Sequence, residues 1–292
     1  MNLKEYLVFD IGGTFIKWSL INEYFEIIKS DKFALNDQKD AILMFDQIGL
    51  IVKEIEKDNQ ISAIGISTAG TVDPFSSKVL GKNANIKNYG GINIKEQIKK
   101  YFSKLVVVEN DANSALIGET TLQKINKPNI LMMTIGTDIG GGILINHKLY
   151  HGSSATAGEI GFQYVGNSLR WGKHFSTVGL INLIKENLGI NIEASEILMS
   201  NDDGIQSIVD IWYKGLANGI ANLIASFNFD LIIIGGAISE SKLFDLDKIK
   251  SYINEFLELP QFINSYQLIK AQFGNKAAIL GMVQLINQSL KT

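Results

Sequence analysis

The sequence predicts an α/β fold built as two duplicated domains. The first observation is alternation. Short apolar, β-branched runs at 6–9, 63–67, 105–108, 130–135 and 231–234 are separated by stretches whose apolar residues recur every three or four positions. The second is a repeat: Asp10-Ile11-Gly12-Gly13 is matched by Asp138-Ile139-Gly140-Gly141, each set between two strand patterns. One device occurring twice predicts two facing copies of one unit. With 292 residues, 46% of them hydrophobic, the chain is long enough to fill both cores.

Tyr6-Leu7-Val8-Phe9 reads as a buried strand that runs into Asp10-Ile11-Gly12-Gly13-Thr14. Phe15-Ile16-Lys17-Trp18-Ser19-Leu20-Ile21 reads as its hairpin partner. Glycines at such a turn let backbone N–H groups approach an anion. A helix follows, marked by Ile42, Phe45, Ile48, Val52 and Ile55. Ala63-Ile64-Gly65-Ile66-Ser67 is a strand ending in Thr68-Ala69-Gly70. Residues 71–92, rich in Gly, Asn, Ser and Lys, read as a loop with a short hairpin and hold Asn83, Asn85 and Asn88. Ile94, Ile98, Tyr101 and Phe102 mark a helix.

Leu105-Val106-Val107-Val108 then hands over to Glu109-Asn110-Asp111-Ala112-Asn113, after which Ala112, Ala115, Leu116 and Leu122 take helical spacing. In open α/β sheets ligands bind outside the carboxyl ends of strands, which makes Asp111 the candidate catalytic group. Asp and Asn at this place also serve as helix caps.

The second half repeats the scheme. Ile130-Leu131-Met132-Met133-Thr134-Ile135 is a strand. The stretch Gly136-Thr137-Asp138-Ile139-Gly140-Gly141-Gly142 reads as a glycine turn leading to Ile143-Leu144-Ile145. Residues 151–175 are irregular and hold His151 and His174, which with His147 are read as loop or surface histidines. Val178, Ile181, Ile184 and Leu188 mark a helix, and apolar residues from Ile205 to Phe227 a long buried one. Leu231-Ile232-Ile233-Ile234 is a strand ending in Gly235-Gly236-Ala237-Ile238-Ser239, and 275–289 is a last amphipathic helix.

Composition removes several function classes. A net charge of −3 without a basic tract argues against a nucleic-acid-coating surface. The chain has no cysteine, which excludes disulfides and thiolate zinc sites. No apolar run approaches the ~18 residues of a membrane span and no signal-peptide pattern opens the chain, so no membrane partner and a cytoplasmic location are expected. There is no G-x-x-x-x-G-K-[ST], and no G-x-G-x-x-G after the first strand, which argues against P-loop and dinucleotide folds. Glycine turns at Gly12-Gly13, Gly140-Gly141-Gly142 and Gly235-Gly236 instead suit a triphosphate held between two hairpins and a nucleoside against the third.

Asp10-Ile11-Gly12-Gly13-Thr14, Glu109-Asn110-Asp111-Ala112-Asn113, Thr134-Ile135-Gly136-Thr137-x-Ile139-Gly140-Gly141-Gly142, Ala157-Gly158-Glu159-Ile160-Gly161 and Ile234-Gly235-Gly236-x-Ile238-Ser239 together resemble the ROK family (repressors, open reading frames and kinases). The resemblance covers nearly the whole chain. It implies a two-domain actin-like ATPase (ribonuclease H-like) fold, duplicated, with an interdomain cleft. The expected domains are 1–113, rejoined by the helix 275–292, and 114–274, with a homodimer as the family expectation.

The implied activity is ATP-dependent phosphorylation of a small-molecule sugar, usually at the 6-hydroxyl. Asp111 is then the general base, since a carboxylate in reach of the hydroxyl fits that role. Asn110, Glu159 and Asn85 hold sugar hydroxyls, and Gly70 lies at the sugar's edge. Asp10 organises Mg²⁺ through water. Gly12, Gly13, Thr14 and Lys17 meet the phosphates from one side and Thr137 and Gly140 from the other, while Gly235 and Gly236 border the nucleoside.

Three departures from the pattern matter. Many members follow Gly-Glu-Ile-Gly with His and a cysteine-rich zinc loop; here Phe162 takes the His place, the loop at 166–174 is short, and zinc is not expected. Asp138 replaces a glycine, placing a charge near the phosphates. The sequence starts at the first strand pattern, so the helix-turn-helix of the repressor branch is not expected.

An apolar wall at Phe162 favours a substituted sugar. N-acetylmannosamine is slightly preferred, with a β-glucoside such as cellobiose, or glucose, next. Ala69 before Gly70 and Tyr89-Gly90-Gly91 look like the zinc-free N-acetylmannosamine kinases. The rival readings are a sugar-binding regulator without catalysis and an actin- or chaperone-like switch.

Overall fold

The computed structural model describes residues 3–35, 39–81, 85–166, 168–263 and 265–291. Asn83, noted in the sequence, lies outside them. The chain divides into two units, Met1–Ile125 with Gly152–Thr156 and Asn275–Thr292, and Asn126–His151 with Ala157–Gly274.

The first unit opens with β1 (Glu5–Ile11), β2 (Phe15–Asn22) and β3 (Ile27–Ala34) as an antiparallel meander. Helix α1 (Ala41–Ile55) follows, capped by Asp40 Oδ1, which accepts from Ile42 N at 2.9 Å. It buries Ala41, Met44, Phe45, Ile48, Val52 and Ile55, the stripe expected from the 3.6-residue period. Strand β4 (Ile61–Thr68) lies parallel to β1. It is buried almost end to end, as a central parallel strand must be. A small hairpin of β5 (Val72–Asp73) and β6 (Lys78–Val79) precedes α2 (Ile94–Lys99), β7 (Leu105–Asn110) and α3 (Asp111–Leu122). The sheet order is β3-β2-β1-β4-β7.

The second unit has β8 (Ile130–Ile135), β9 (Ile139–Ile145) and β10 (Lys148–Leu149) as its meander. A short hairpin, β11 (Tyr164–Val165) with β12 (Leu169–Arg170), leads into α4 (Trp171–Phe175), α5 (Thr177–Leu188) and α6 (Ala194–Ile197). The long helix α7 (Asp203–Phe227) precedes β13 (Leu231–Gly235), which lies parallel to β8. Helices α8 (Leu246–Leu257) and α9 (Pro260–Ile263) lead to β14 (Gln267–Lys270), parallel to β13. The order β10-β9-β8-β13-β14 repeats that of the first sheet, strand for strand. Each unit fills its own core, one around Phe9, Ile64 and Phe45, the other around Trp171, Trp212 and Ile232.

Helix α10 (Ala277–Ser289) returns the chain to the first unit. It packs on α3 so closely that a Cβ on Gly281 would run into Ser114 O and one on Gly118 into Ala277 O. Ser114 Oγ lies 3.1 Å from Met282 Sδ across the same seam. This packing keeps α3 in the first unit, so the division falls after Ile125 rather than at 113/114.

The repeat itself needs correction. Gly12 and Gly13 form the turn between β1 and β2, but Gly140, Gly141 and Gly142 lie within β9, paired with Thr134, Met133 and Met132. The second turn is Gly136-Thr137-Asp138. The glycines of β9 serve close approach rather than turning: a Cβ on Gly141 would lie 2.8 Å from Ile160 Cδ1 and 3.2 Å from Gly158 O. Among the described residues no helix is long and apolar enough to cross a membrane.

Candidate active site

In the first unit the candidate residues gather at the carboxyl ends of β1, β4 and β7. Asp10 stands opposite Lys17 on β2 and Ser67 on β4. Ser67 Oγ donates to Asp10 Oδ1 at 2.8 Å. Burial pushes the Asp10 carboxyl above its ordinary pKa, against the pull of the Ser67 hydrogen bond and the Lys17 charge. Gly12 N donates to Phe15 O at 3.2 Å, closing the turn, with Thr14 exposed beyond it. The side chain of Asn85 rests on that turn: a Cβ on Gly13 would lie 2.6 Å from Asn85 Nδ2. A residue expected at the sugar and one expected at the phosphates are thus in contact.

The strand-to-helix junction is built by hydrogen bonds. Asn110, not Asp111, is the cap of α3: its Oδ1 accepts from Ala112 N at 2.9 Å and Asn113 N at 3.1 Å. Its Nδ2 donates to Gly70 O at 3.2 Å and to Asp111 Oδ1 at 3.0 Å. Asp111 Oδ1 also accepts from Ala112 N at 2.8 Å, which fixes the half-buried carboxylate in the first helical turn. There the helix N-terminus favours negative charge. Gly70 carries φ +89°, so the strand end can turn beneath Asn110.

Beneath them Glu109, 4% exposed, accepts from Asn110 N at 2.9 Å and from Asn113 Nδ2 at 3.0 Å. Glu109 is signalled in the sequence only by its place in the five-residue motif. Tyr89 is a core residue, stacked on Phe45 and bonded to Thr68 Oγ1 at 2.5 Å. Burial raises its pKa far above the phenolic range, and the Asp111 charge adds to that.

In the second unit Thr137 is exposed at the tip of the β8–β9 turn. Gly140 follows in β9, where a Cβ would lie 3.2 Å from Thr134 Oγ1. Gly235 ends β13, and Gly236, at φ +102°, leaves no room for a Cβ against the Ile135 backbone. The Gly235-Gly236 turn is therefore packed directly beside the Gly136-Thr137 turn. Glu159 is half-buried and precedes the 3₁₀ turn Ile160–Phe162. Its backbone is brought onto β9 by Gly158, at φ +95°, whose Cβ would run into Gly141 O.

Asp138, expected as a bare charge, pairs with Arg170 Nη2. Phe162 is 60% exposed, and the Arg170 guanidinium lies 4.6 Å from its ring centroid. The apolar wall anticipated at Phe162 is therefore faced by a cation. Ser176 and Thr177, also unremarked in the sequence, hold the turn: Ser176 Oγ donates to Thr137 O at 3.1 Å and Thr177 N to Gly136 O at 3.0 Å. Their signal was a Ser at the cap of an amphipathic helix. Among the described residues no group of three or more His, Cys, Asp or Glu side chains is placed to hold a metal ion.

A family model described as the ROK family matches residues 6–289. A β-glucoside kinase from Listeria monocytogenes is 30% identical over 94% of this chain and 95% of its own length. Among solved structures, a Listeria monocytogenes protein held to be an N-acetylmannosamine kinase superposes with TM-score 0.86 at 26% identity, covering 98% of this chain and 99% of that one. A ROK family glucokinase from Streptomyces griseus, in complex with glucose and AMPPNP, gives TM-score 0.80 at 27% identity, covering 97% and 99%.

Proposed function

This chain belongs to the ROK family and has the family's duplicated actin-like α/β fold, and from that premise we propose that it is an ATP-dependent kinase acting on the 6-hydroxyl of a hexose-type sugar. The observation that carries the reading is the Asp111 carboxylate, fixed at the first turn of α3 by Ala112 N and Asn110 Nδ2 next to Gly70 O. Phosphoryl transfer asks for positioning and charge stabilisation, and a carboxylate whose Oδ1 is held by two donors is a positioned base.

Asp111 accepts the proton of the attacking hydroxyl as its oxygen bonds the γ-phosphorus and the bond to ADP breaks. The proton then leaves Asp111 for solvent. Asn110, Asn85 and Glu159 accept or donate to the other sugar hydroxyls, with Gly70 at the edge. Gly12, Gly13, Thr14, Lys17, Thr137 and Gly140 serve the phosphates, and Gly235 and Gly236 the nucleoside. The donor set at Asp10, one half-buried carboxylate steadied by Ser67, fits a hard cation that keeps its waters. Mg²⁺ held there by Asp10 through water would supply positive charge against the charge that develops in phosphoryl transfer.

The substrate preference follows from Phe162. A site flanked by an aromatic ring rather than a hydroxyl-binding His suits a sugar carrying a substituent. N-acetylmannosamine is placed slightly ahead of a β-glucoside, with glucose behind. The L. monocytogenes β-glucoside kinase and N-acetylmannosamine kinase-like protein, with the S. griseus glucokinase, support a sugar of this class; the order among them rests on Phe162 alone.

The test is ADP release, coupled to a reporter enzyme, with glucose, N-acetylglucosamine, N-acetylmannosamine and cellobiose. Sugar-dependent ADP release is expected. Sugar binding without ADP release would favour a regulator, and ADP release indifferent to every sugar would favour an ATP-driven switch.

A further inference from the structure

The β8–β9 turn is held, residue by residue, by one segment of the same unit. Thr177 N donates to Gly136 O, Ser176 Oγ to Thr137 O, and Arg170 Nη2 to the Asp138 carboxylate. Asp138 Oδ1 also accepts from Ile139 N at 2.8 Å, so the carboxylate is tied to the turn's own backbone. Two glycines make room for it: a Cβ on Gly161 would lie 2.8 Å from Asp138 Oδ1, and one on Gly172 would run into the same atom.

Arg170 is itself anchored. Its neighbour Trp171 is fully buried, donating from its backbone to Gln163 O at 2.8 Å and from Nε1 to Gly215 O on α7 at 2.9 Å. The guanidinium lies over Phe162, within cation–π range.

We propose that Arg170 is a positioning residue for the nucleotide, cancelling the Asp138 charge at the second phosphate turn and fixing that turn so that Thr137 is presented to the phosphates. This rests on the reading of the protein as an ATP-dependent kinase. The charge argument is direct. A carboxylate beside a triphosphate is repulsive unless a cation stands with it. Arg170 supplies that cation from within the fold. Arginine suits the task, since its planar guanidinium pairs with a carboxylate and stacks on an aromatic ring at once.

The test is a cycle of Arg170→Ala, Arg170→Lys, Asp138→Asn and the double variant Arg170→Ala/Asp138→Asn. ATP KM, sugar KM and displacement of a fluorescent ATP analogue are read for each. Arg170→Ala is expected to raise the ATP KM by up to about fivefold, the upper end for a partly exposed charge pair, with a smaller change in the sugar KM. The penalty should shrink as ionic strength rises. The double variant is expected to recover most of the lost affinity, because removing both charges leaves no unpaired carboxylate; Arg170→Lys should fall between.

An unchanged ATP KM in Arg170→Ala, an equal rise in both KM values, or no recovery in the double variant would overturn the proposal. Should Arg170→Ala not fold, Asp138→Asn decides: its ATP KM should be at or below that of the unaltered protein, and a rise would overturn the charge argument. An unaltered protein that neither binds the ATP analogue nor phosphorylates any sugar would bring down the kinase reading, and this inference with it. An active parent with an indifferent Arg170→Ala would bring down this inference alone.

Discussion

The side-chain amide of Asn110 donates to the Asp111 carboxylate at 3.0 Å while its carbonyl oxygen caps the helix that Asp111 begins. The two neighbours divide the work between them. Asn110 satisfies the orphan N–H groups of α3, and Asp111 holds a carboxylate in a fixed orientation at the helix's positive end.

Replacing Asp111 by Asn tests this division. The carboxamide oxygen still accepts from Ala112 N, so the melting temperature should move little. The base is gone, so kcat should fall by about 10²–10⁴-fold. Turnover near that of the unaltered protein would remove Asp111 from the chemistry.

Gly13→Ala should act on the sugar as well as the nucleotide. The added methyl would lie 2.6 Å from Asn85 Nδ2, so Asn85 must move. Asn85 is exposed and its amide can swing aside, so little stability is lost, but the amide leaves its place and a rise of about fivefold in sugar KM is expected, the worth of one hydrogen bond of about 1 kcal/mol. A sugar KM untouched by Gly13→Ala would show that Asn85 does not hold the sugar.

Asp10→Asn should stabilise the protein while inactivating it. Burial raises the Asp10 pKa above that of the unfolded chain, so the ionised carboxylate costs stability at neutral pH. That cost is absent below the unfolded value and grows as pH rises through the folded one. The variant should therefore melt higher than the parent at pH 7, with the difference fading as pH is lowered past the ordinary aspartate range. A difference that grew at low pH would contradict the burial account.

Gly281→Ala should loosen the first unit alone. The methyl would meet Ser114 O at the α3–α10 crossing, with no flexible side chain to yield. A loss of roughly 1–3 kcal/mol is expected, read as faster amide exchange in α3 and α10 with α7 unaffected. Equal loss in α7 would mean that the two units melt as one.

What the sequence made legible follows its strongest patterns. The buried strands β1, β4, β7, β8 and β13 are continuous apolar runs, and α1, α5 and α7 keep their period over three turns or more. Strand β3 was missed because every residue of Ile27–Ala34 is exposed or half-buried, so no alternation betrays an edge strand. The Gly140-Gly141-Gly142 run was misread because glycine signals turns and close backbone approach alike. Only its counterpart Gly158, 17 positions on, distinguishes the two. Within the candidate site, the carboxylates and amides were visible through their motifs. Arg170 was not: its role depends on Asp138 and Phe162 coming to one place, and it follows no periodic signal.

The last feature is the seam between α3 and α10. Helix α10 covers the face of the first sheet on which Gly65 meets Ile286 and Met282, and Tyr6 OH donates to Asn287 Oδ1 at 2.8 Å. It is encoded after the whole of the second unit. During synthesis that unit takes roughly 7–30 s to emerge, at about 5–20 residues per second. Through that interval the first sheet has all its strands but one apolar face bare, because α10 is still to come. The half of the protein translated first is the half completed last.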